Sequence, residues 1–342
     1  MNRRTLMSLA LGAALPAAVP TLVRSGTLTA WEHWKSDFLE ESGRVIDEMQ
    51  GGVSHSEGQG YGLLLAQAFG DRAAFDAIEA WTTEQLLIRK DALMAWRWSP
   101  SDVAQRETGA RDWHTATDGD LFRAWALLRA EVFSGWGDYG DTVRDIANAL
   151  VELCLLPDPR APEEPVLSPS ADAPVFAEGV LFNPSYVMSR ALREVGAFAG
   201  AEELVRAADH GEIILSELAS VGLVPDWVLV TPDGFLPATG YSNRHGYDAI
   251  RAALYLFWSG RGDHPAVSQK VALWPAGRDL PVVSTVDGQI LERSTFAGYR
   301  AVSELIRCGR LAPGQDTQEP YYPATLGLLA YVARRESGLC DG

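Results

Sequence analysis

The sequence predicts an all-α fold, an array of helices that either stays open as a solenoid or closes into a toroid. Three observations predict it. Apolar residues recur at three- and four-residue intervals in eleven separate segments, spread evenly over the chain beyond its first 25 residues. Strand-like alternation is short and rare, and most links between helical segments are brief enough to join antiparallel neighbours. No residue-level repeat is visible, so the segments are individually different helices.

Taken in order, Trp31, Trp34, Phe38, Val45, Ile46 and Met49 predict a first helix that ends at Gly51-Gly52. Ser56-Glu57-Gly58-Gln59-Gly60-Tyr61-Gly62 runs into Leu63-Leu64-Leu65-Ala66 and predicts a second, from Glu57 to near Gly70. Glycines at 58, 60 and 62 each weaken a helix, so bare backbone there serves the close approach of a ligand or of another chain segment. Asp71 fits the N-cap of a third helix carrying Phe75, Ile78, Trp81 and Leu86. The pattern breaks between Lys90 and Trp113, where Trp96-Arg97-Trp98-Ser99-Pro100 has a loop-like setting. Thr117 and Asp120 have capping-box spacing ahead of Leu121, Ala124, Leu127 and Leu128. The next helix runs from about Asp141 to Leu155. Residues 157–180, rich in Pro, Ser, Glu and Ala, read as a long surface loop, because helical patterning resumes beyond them. Asn183-Pro184 pairs an N-cap with a first-turn proline and opens helices over about 184–198 and 202–219. Leu223 to Thr231 is strand-like or irregular. Asn243-Arg244-His245-Gly246-Tyr247-Asp248 leads into 249–258, apolar on nearly every face and therefore buried. Weaker helices follow over about 264–274, 293–308 and 322–335.

Composition bounds what such a chain does. With 342 residues, 47% hydrophobic and 22% charged, it has ample material for a large ordered core. Arg3-Arg4, the apolar run Leu6 to Ala18 and the small residues after it have the layout of an export signal, so residues 1–25 are set aside from the fold. Asn2-Arg3-Arg4-Thr5-Leu6-Met7 loosely resembles a twin-arginine signal. The apolar run is too short to span a bilayer, and no later stretch reaches the ~20 apolar residues a span needs. The mature chain is thus expected to be exported, periplasmic or secreted, and not inserted in the membrane. Residues 1–25 hold three arginines and no acid, so their removal takes the formal charge from −16 to −19. That balance repels phosphate backbones and anionic lipid, and suits a neutral substrate. Cys154, Cys308 and Cys340 are widely spaced and allow one disulfide. The six histidines are scattered without a metal-binding pattern, which argues against a zinc site.

The chemistry-bearing positions are acidic residues at helix starts: Glu57, Asp118 with Asp120, and Asp248. If the array closes with these starts at one end, the carboxylates converge in one cleft. Two carboxyl groups of different proton affinity are the minimum equipment for acid and base work on a glycosidic bond. Asp118 equally fits a helix-start carboxylate that serves the dipole alone. Asp248 lies in a buried-looking segment where a lone carboxylate is costly, and Arg251, one helical turn on, fits a structural partner. Trp96, Trp98, Trp113, Tyr186, Trp227 and Tyr247 all fall near irregular segments or helix starts. Indole and phenol rings suit the flat C–H faces of sugars, although core packing is the commoner fate of any one of them.

Ser56-Glu57-Gly58-Gln59-Gly60-Tyr61-Gly62, Ala116-Thr117-Asp118-Gly119-Asp120-Leu121, Asn183-Pro184-Ser185-Tyr186 and Tyr247-Asp248-Ala249-Ile250-Arg251 resemble, in order and spacing, the motifs of glycoside hydrolase family 8. The likeness is nearest to the branch of secreted endoglucanases that accompany bacterial cellulose synthase. It covers essentially the whole mature chain and so implies a single catalytic domain, 26–342. It implies an (α/α)6 barrel of six inner and six outer helices that cleaves β-1,4-glucan internally, with inversion and without metal or organic cofactor. Glu57 falls on the general acid, Asp248 on the general base of the larger branch, and Asp118 on the aspartate that binds sugar at the cleavage point. Tyr186 and Trp96 or Trp98 match positions near the groove; Trp113, Tyr247, Arg251 and Asp120 are the further candidates for substrate contact. Gln59 stands where methionine is common and Gly119 where alanine is common. Glu57 is expected to have a raised pKa, from burial and the charge of Asp118, and Asp248 to be ionised, with carboxyl groups about 6.5–9.5 Å apart. The substrate alternatives are xylan, mixed-linkage glucan and chitosan. Those of another class are a non-catalytic glucan-binding or assembly factor, and a lyase, against which the lack of clustered Arg or Lys speaks. The chain is taken as a monomer, with the cellulose synthase machinery as a partner.

Overall fold

A computed structural model describes residues 25–100, 113–311 and 319–340. The expected export signal, apart from Ser25, lies outside these described residues. Among them are eleven α-helices: α1 (Ser25–Phe38), α2 (Ser56–Phe69), α3 (Arg72–Gln85), α4 (Thr117–Arg129), α5 (Gly140–Cys154), α6 (Ser189–Ala199), α7 (Glu202–Val221), α8 (Tyr247–Trp258), α9 (Pro265–Leu273), α10 (Ala297–Ile306) and α11 (Tyr321–Glu336). Six form a ring. Each of α2, α4, α6, α8, α10 and α11 packs on the next, and α11 closes the circle on α2. The remaining helices lie outside, α1 against α11, α3 against α2, α5 against α4 and α6, α7 against α6, and α9 against α7, α8 and α10. The toroid of the two alternatives is the one adopted, an α/α barrel.

Sequence chemistry sorts inner helices from outer ones. All of α4 is buried and so is nearly all of α2 and α8, whose apolar residues leave no polar face, whereas α3 buries only Ala74, Phe75, Ile78, Trp81 and Thr82. The barrel interior is filled by Tyr61, Phe122, Trp125, Tyr255 and Trp258, stacked edge to face or tilted at centroid separations of 4.8–6.2 Å.

The glycines of α2 are packing devices. A Cβ on Gly60 would lie 2.8 Å from Phe122 Cβ and 3.1 Å from Gly119 O. One on Gly119 would lie 2.3 Å from Ser56 Oγ and 2.7 Å from Glu57 N. Helices α2 and α4 therefore meet backbone to backbone, and the close approach inferred from the sequence is that of a chain segment. Gly58 and Gly62 face Tyr321, Val45 and Ile78 in the same way. Buried Gln59 ties the preceding loop to α2 and α3: Oε1 accepts from Val45 N at 2.7 Å, and Nε2 donates to Gly43 O and Thr82 Oγ1.

Several expectations need correction. The first helix stops at Phe38; Gly43, at φ +91°, turns the chain back against α3, so Leu39 pairs with Val45 and Asp47 with Val53, and Met49 stands exposed. The capping box at Thr117 does not form, because Thr117 Oγ1 donates to Ser168 O and Asp120 Oδ1 accepts from Met94 N. The 157–180 loop includes most of an antiparallel hairpin, β3 (Leu155–Asp158) with β4 (Ala161–Leu167). Asn183-Pro184 opens a single 3-10 turn, Pro184–Tyr186, and the helix begins at Ser189. The 293–308 segment divides between a strand end and α10. Three further small antiparallel sheets line the rim: β1 (Ser54–His55) with β2 (Arg97–Trp98), β5 (Val180–Phe182) with β6 (Val228–Thr231) and β7 (Gly234–Leu236), and β8 (Leu280–Ser284) with β9 (Ile290–Ser294).

Cys308, just past α10, is disulfide-bonded to Cys340, just past α11, across a sequence separation of 32; Cys154 is free and buried. Closing a loop of that length restricts the unfolded chain, so replacing both cysteines by serine is expected to lower stability by about 2–4 kcal/mol, read as a fall in urea midpoint with a steeper slope from the more expanded unfolded chain.

Candidate active site

All six inner helices begin at the same end, around one cleft of about 450 Å³. Its wall takes Ser56 and Glu57 from the start of α2, Asp118 from α4, Tyr186 from the turn before α6, Tyr247, Asp248 and Arg251 from α8, Phe296 and Tyr299 at α10, and Tyr321 and Tyr322 from α11. Helix N-termini carry partial positive charge, so gathering them here favours anionic side chains. The convergence of Glu57, Asp118 and Asp248, conditional in the sequence, is what closure of the ring produces.

Arg251 sits among the three carboxylates. Its Nη1 contacts Glu57 Oε2 and lies 3.6 Å from Asp118 Oδ2, and its Nη2 donates to Asp248 Oδ1 at 2.6 Å and to Ser185 Oγ at 2.9 Å. Below it, Tyr61 Oη is 3.2 Å from Nη1 and 2.5 Å from Tyr255 Oη. A guanidinium cannot lose its proton, so this cation is fixed in the cleft floor.

Burial raises the proton affinity of Glu57, but the Arg251 charge and a hydrogen bond from Asp118 outweigh it and leave the Glu57 carboxyl below its ordinary value. Asp118 goes the other way: burial, then the charge of Glu57, pushes it well above the usual carboxylate range. The direction at Glu57 is thus opposite to the rise expected from the sequence, and the rise falls on Asp118 instead. Asp248 is raised by burial, against the opposing pull of Arg251. Its Oδ2 accepts from Trp227 Nε1 at 2.9 Å and from Asn183 Nδ2 at 3.4 Å.

Trp96, Tyr186, Tyr247 and Arg251 line the cleft with the carboxylates. Trp96 stacks on His55 with centroids 5.7 Å apart, and Tyr247, partly exposed, donates its hydroxyl to Glu292 at 2.5 Å. Trp98, Trp113 and Asp120 do not line it. Trp98 packs edge-on against Trp81 under the Arg44 guanidinium, Trp113 is exposed and gives its carbonyl to Arg89, and Asp120 is buried behind the wall with Met94 N on Oδ1. The sequence reading did not assign His55, Asn183, Trp227, Tyr321 or Tyr322 to the site. Asn183 was legible as a cap and as the first residue of one motif, and Trp227 only as one of six aromatics, while the Tyr321-Tyr322 pair had the same helix-start signal as the carboxylates.

The description Glycosyl hydrolases family 8 fits residues 6–336. The chain belongs to this family. It is 32% identical over 316 residues, 90% of each chain, to a protein of Novacetimonas hansenii described as a probable endoglucanase. An endoglucanase of Cellulomonas uda is 35% identical over 249 residues, 70% of this chain and 66% of that one. Among solved structures, the endo-β-1,4-glucanase CMCax from Acetobacter xylinum aligns with TM-score 0.79 at 29% identity, over 92% of this chain and 99% of its own. The endoglucanase Cel10 from Klebsiella pneumoniae aligns with TM-score 0.79 at 30% identity, over 90% and 99%. Membership makes the chain a glycoside hydrolase with the inverting chemistry general to family 8.

Asp120 gives this family 8 chain a pH signature. Burial pushes its carboxyl to about 8, whereas an unfolded aspartate titrates near ~4. Between those values the folded state binds more protons, so stability falls as pH rises. Asp120→Asn is expected to flatten the decline of melting temperature between pH 5 and pH 8 by a few degrees, measured by calorimetry in parallel with the parent protein.

Proposed function

We propose that this protein is an exported endo-β-1,4-glucanase in which Glu57 is the general acid, Asp248 the general base and Asp118 the group that binds sugar at the cleavage point. The observation that carries the reading is the pairing of Glu57 with one nitrogen of the Arg251 guanidinium and of Asp248 with the other, both in one cleft. Arg251 stands between the two carboxylates, and an inverting mechanism needs them far enough apart to admit its water. Asp248 takes a proton from that water as its oxygen bonds the anomeric carbon; the bond from that carbon to the leaving oxygen breaks, and Glu57 gives the leaving oxygen a proton. Glu57 and Asp118, coupled through burial and the nearby Arg251 charge, hold that proton between them before the step. Trp96, Tyr186 and Tyr247 offer ring faces to successive glucosyl units.

A glucan is favoured among β-1,4 polymers by the names of the relatives, which are endoglucanases in Novacetimonas, Cellulomonas, Acetobacter and Klebsiella. Export is supported by the signal-like first 25 residues and by the Cys308–Cys340 disulfide, a bond that persists in oxidising compartments. Among the described residues no helix is long and apolar enough to cross a membrane. The likeness of the four motifs to the endoglucanases that accompany cellulose synthase supports a role beside that machinery.

Glu57→Gln is expected to reduce hydrolysis of carboxymethylcellulose about 10³-fold or more, with cello-oligosaccharide binding retained by calorimetry. Activity within tenfold of the parent, or an equally active xylan or chitosan digestion by the parent itself, refutes the assignment.

A further inference from the structure

The loop that enters β6 holds the start of α8 at two points, the backbone N–H groups flanking Asp248 and the Asp248 carboxylate itself. Asp226, buried, accepts Gly246 N and Ala249 N on Oδ1, both at 2.9 Å, and Ser242 Oγ on Oδ2 at 2.9 Å. It thereby caps α8 from outside the helix, satisfying N–H groups that Gly246, the N-cap residue, has no side chain to reach. A Cβ on Gly246 would stand 2.6 Å from Asp226 Oδ2, so carboxylate and helix start are in direct contact. The next residue, Trp227, donates Nε1–H to Asp248 Oδ2 at 2.9 Å. The indole is held in turn: Trp227 N donates to Ser242 O at 3.0 Å, and its ring lies 4.8 Å from Tyr241 and 6.1 Å from Tyr186.

We propose that Trp227 is a positioning residue for the general base, its indole N–H fixing Asp248 Oδ2 so that the free lone pair of Oδ1 faces the attacking water. The proposal rests on the reading of Asp248 as base. A carboxylate oxygen has about two acceptor directions. On Oδ2 these are met by Trp227 and Asn183, and on Oδ1 one is met by Arg251. The direction left open is on Oδ1, the oxygen whose orientation Arg251 shares with Glu57. Without the indole donor the carboxylate turns about its Cβ–Cγ bond, and the water loses its in-line approach.

The same hydrogen bond favours the ionised form of Asp248. The other groups facing Asp248 are the Arg251 cation from its own helix, Glu57 from α2, Asp226 from the loop before β6, and the phenols of Tyr186 and Tyr322. Trp227 is the indole among them, a donor that does not titrate, so its removal alters the titration of Asp248 without adding one of its own.

Because Trp227 also lines the cleft, its hydrogen bond must be separated from any stacking on sugar. Replacing Trp227 by benzothienylalanine keeps the bicyclic ring and puts sulfur where the N–H was. On soluble cello-oligosaccharides kcat is expected to fall about tenfold with KM within about threefold, and the acidic limb of kcat/KM to move up by about one pH unit. Trp227→Phe, checked for an unchanged circular dichroism spectrum, is expected to show the same limb shift with an added rise in KM. An unchanged limb and kcat in the benzothienyl protein overturns the proposal. Asp248→Asn separates the two readings: if it is inactive while the benzothienyl protein is normal, only the role of Trp227 fails, whereas an active Asp248→Asn removes the base assignment itself.

Discussion

The site depends on one buried cation. Three carboxylates at the mouth of a closed barrel would repel one another and lose hydration, a combination a folded protein does not tolerate uncompensated. Arg251 meets all three from a single residue, through contacts with Glu57 and Asp248 and a longer approach to Asp118. It also imposes an asymmetry. The stronger claim on Glu57 lowers its proton affinity while that of Asp118 is raised, although both are buried. The inner-helix dipoles add to the same effect, each ending at the cleft.

The ring of helices does the positioning that no single motif does. Glu57 and Asp118 come from adjacent ring members, α2 and α4, and Asp248 from α8 on the far side of α6. Around them an outer tier of tyrosines and tryptophans supplies ring faces and hydroxyls, with Tyr322 Oη bonded to Tyr247 O at 2.5 Å. The disulfide lies beyond the C-terminal ends of α10 and α11, at the opposite end from the cleft, where it stabilises the last two staves of the barrel without touching the chemistry.

Much of this was legible in the sequence. Helical periodicity located the eleven helices of the described residues, because their apolar stripes are local properties, and the acids at helix starts marked the cleft once closure is granted. The failures have particular causes. Val45, Ile46 and Met49 kept helical spacing past Phe38, but the turn at Gly43 against Ala77 overrides it, a tertiary contact invisible in the local pattern. Thr117 and Asp120 had the spacing of a capping box and were claimed instead by Ser168 and Met94, distant in the chain. The proton affinity of Glu57 was misread because Arg251 looked like a partner for Asp248 alone; its reach to Glu57 spans 194 positions.

The backbone crossing of α2 and α4 carries an implication for the way such an enzyme can be hardened. Exchanging a helical glycine for alanine is among the commonest stabilising substitutions, worth up to ~1 kcal/mol where space allows. At Gly60 and Gly119 there is no space, since a methyl group would meet Phe122, Ser56 or the backbone of Glu57 itself. The barrel thus keeps weak helix formers at the very point where the Glu57 and Asp118 carboxylates are brought into register. Heat resistance has to be sought in the outer layer, which can stiffen without prising that joint apart.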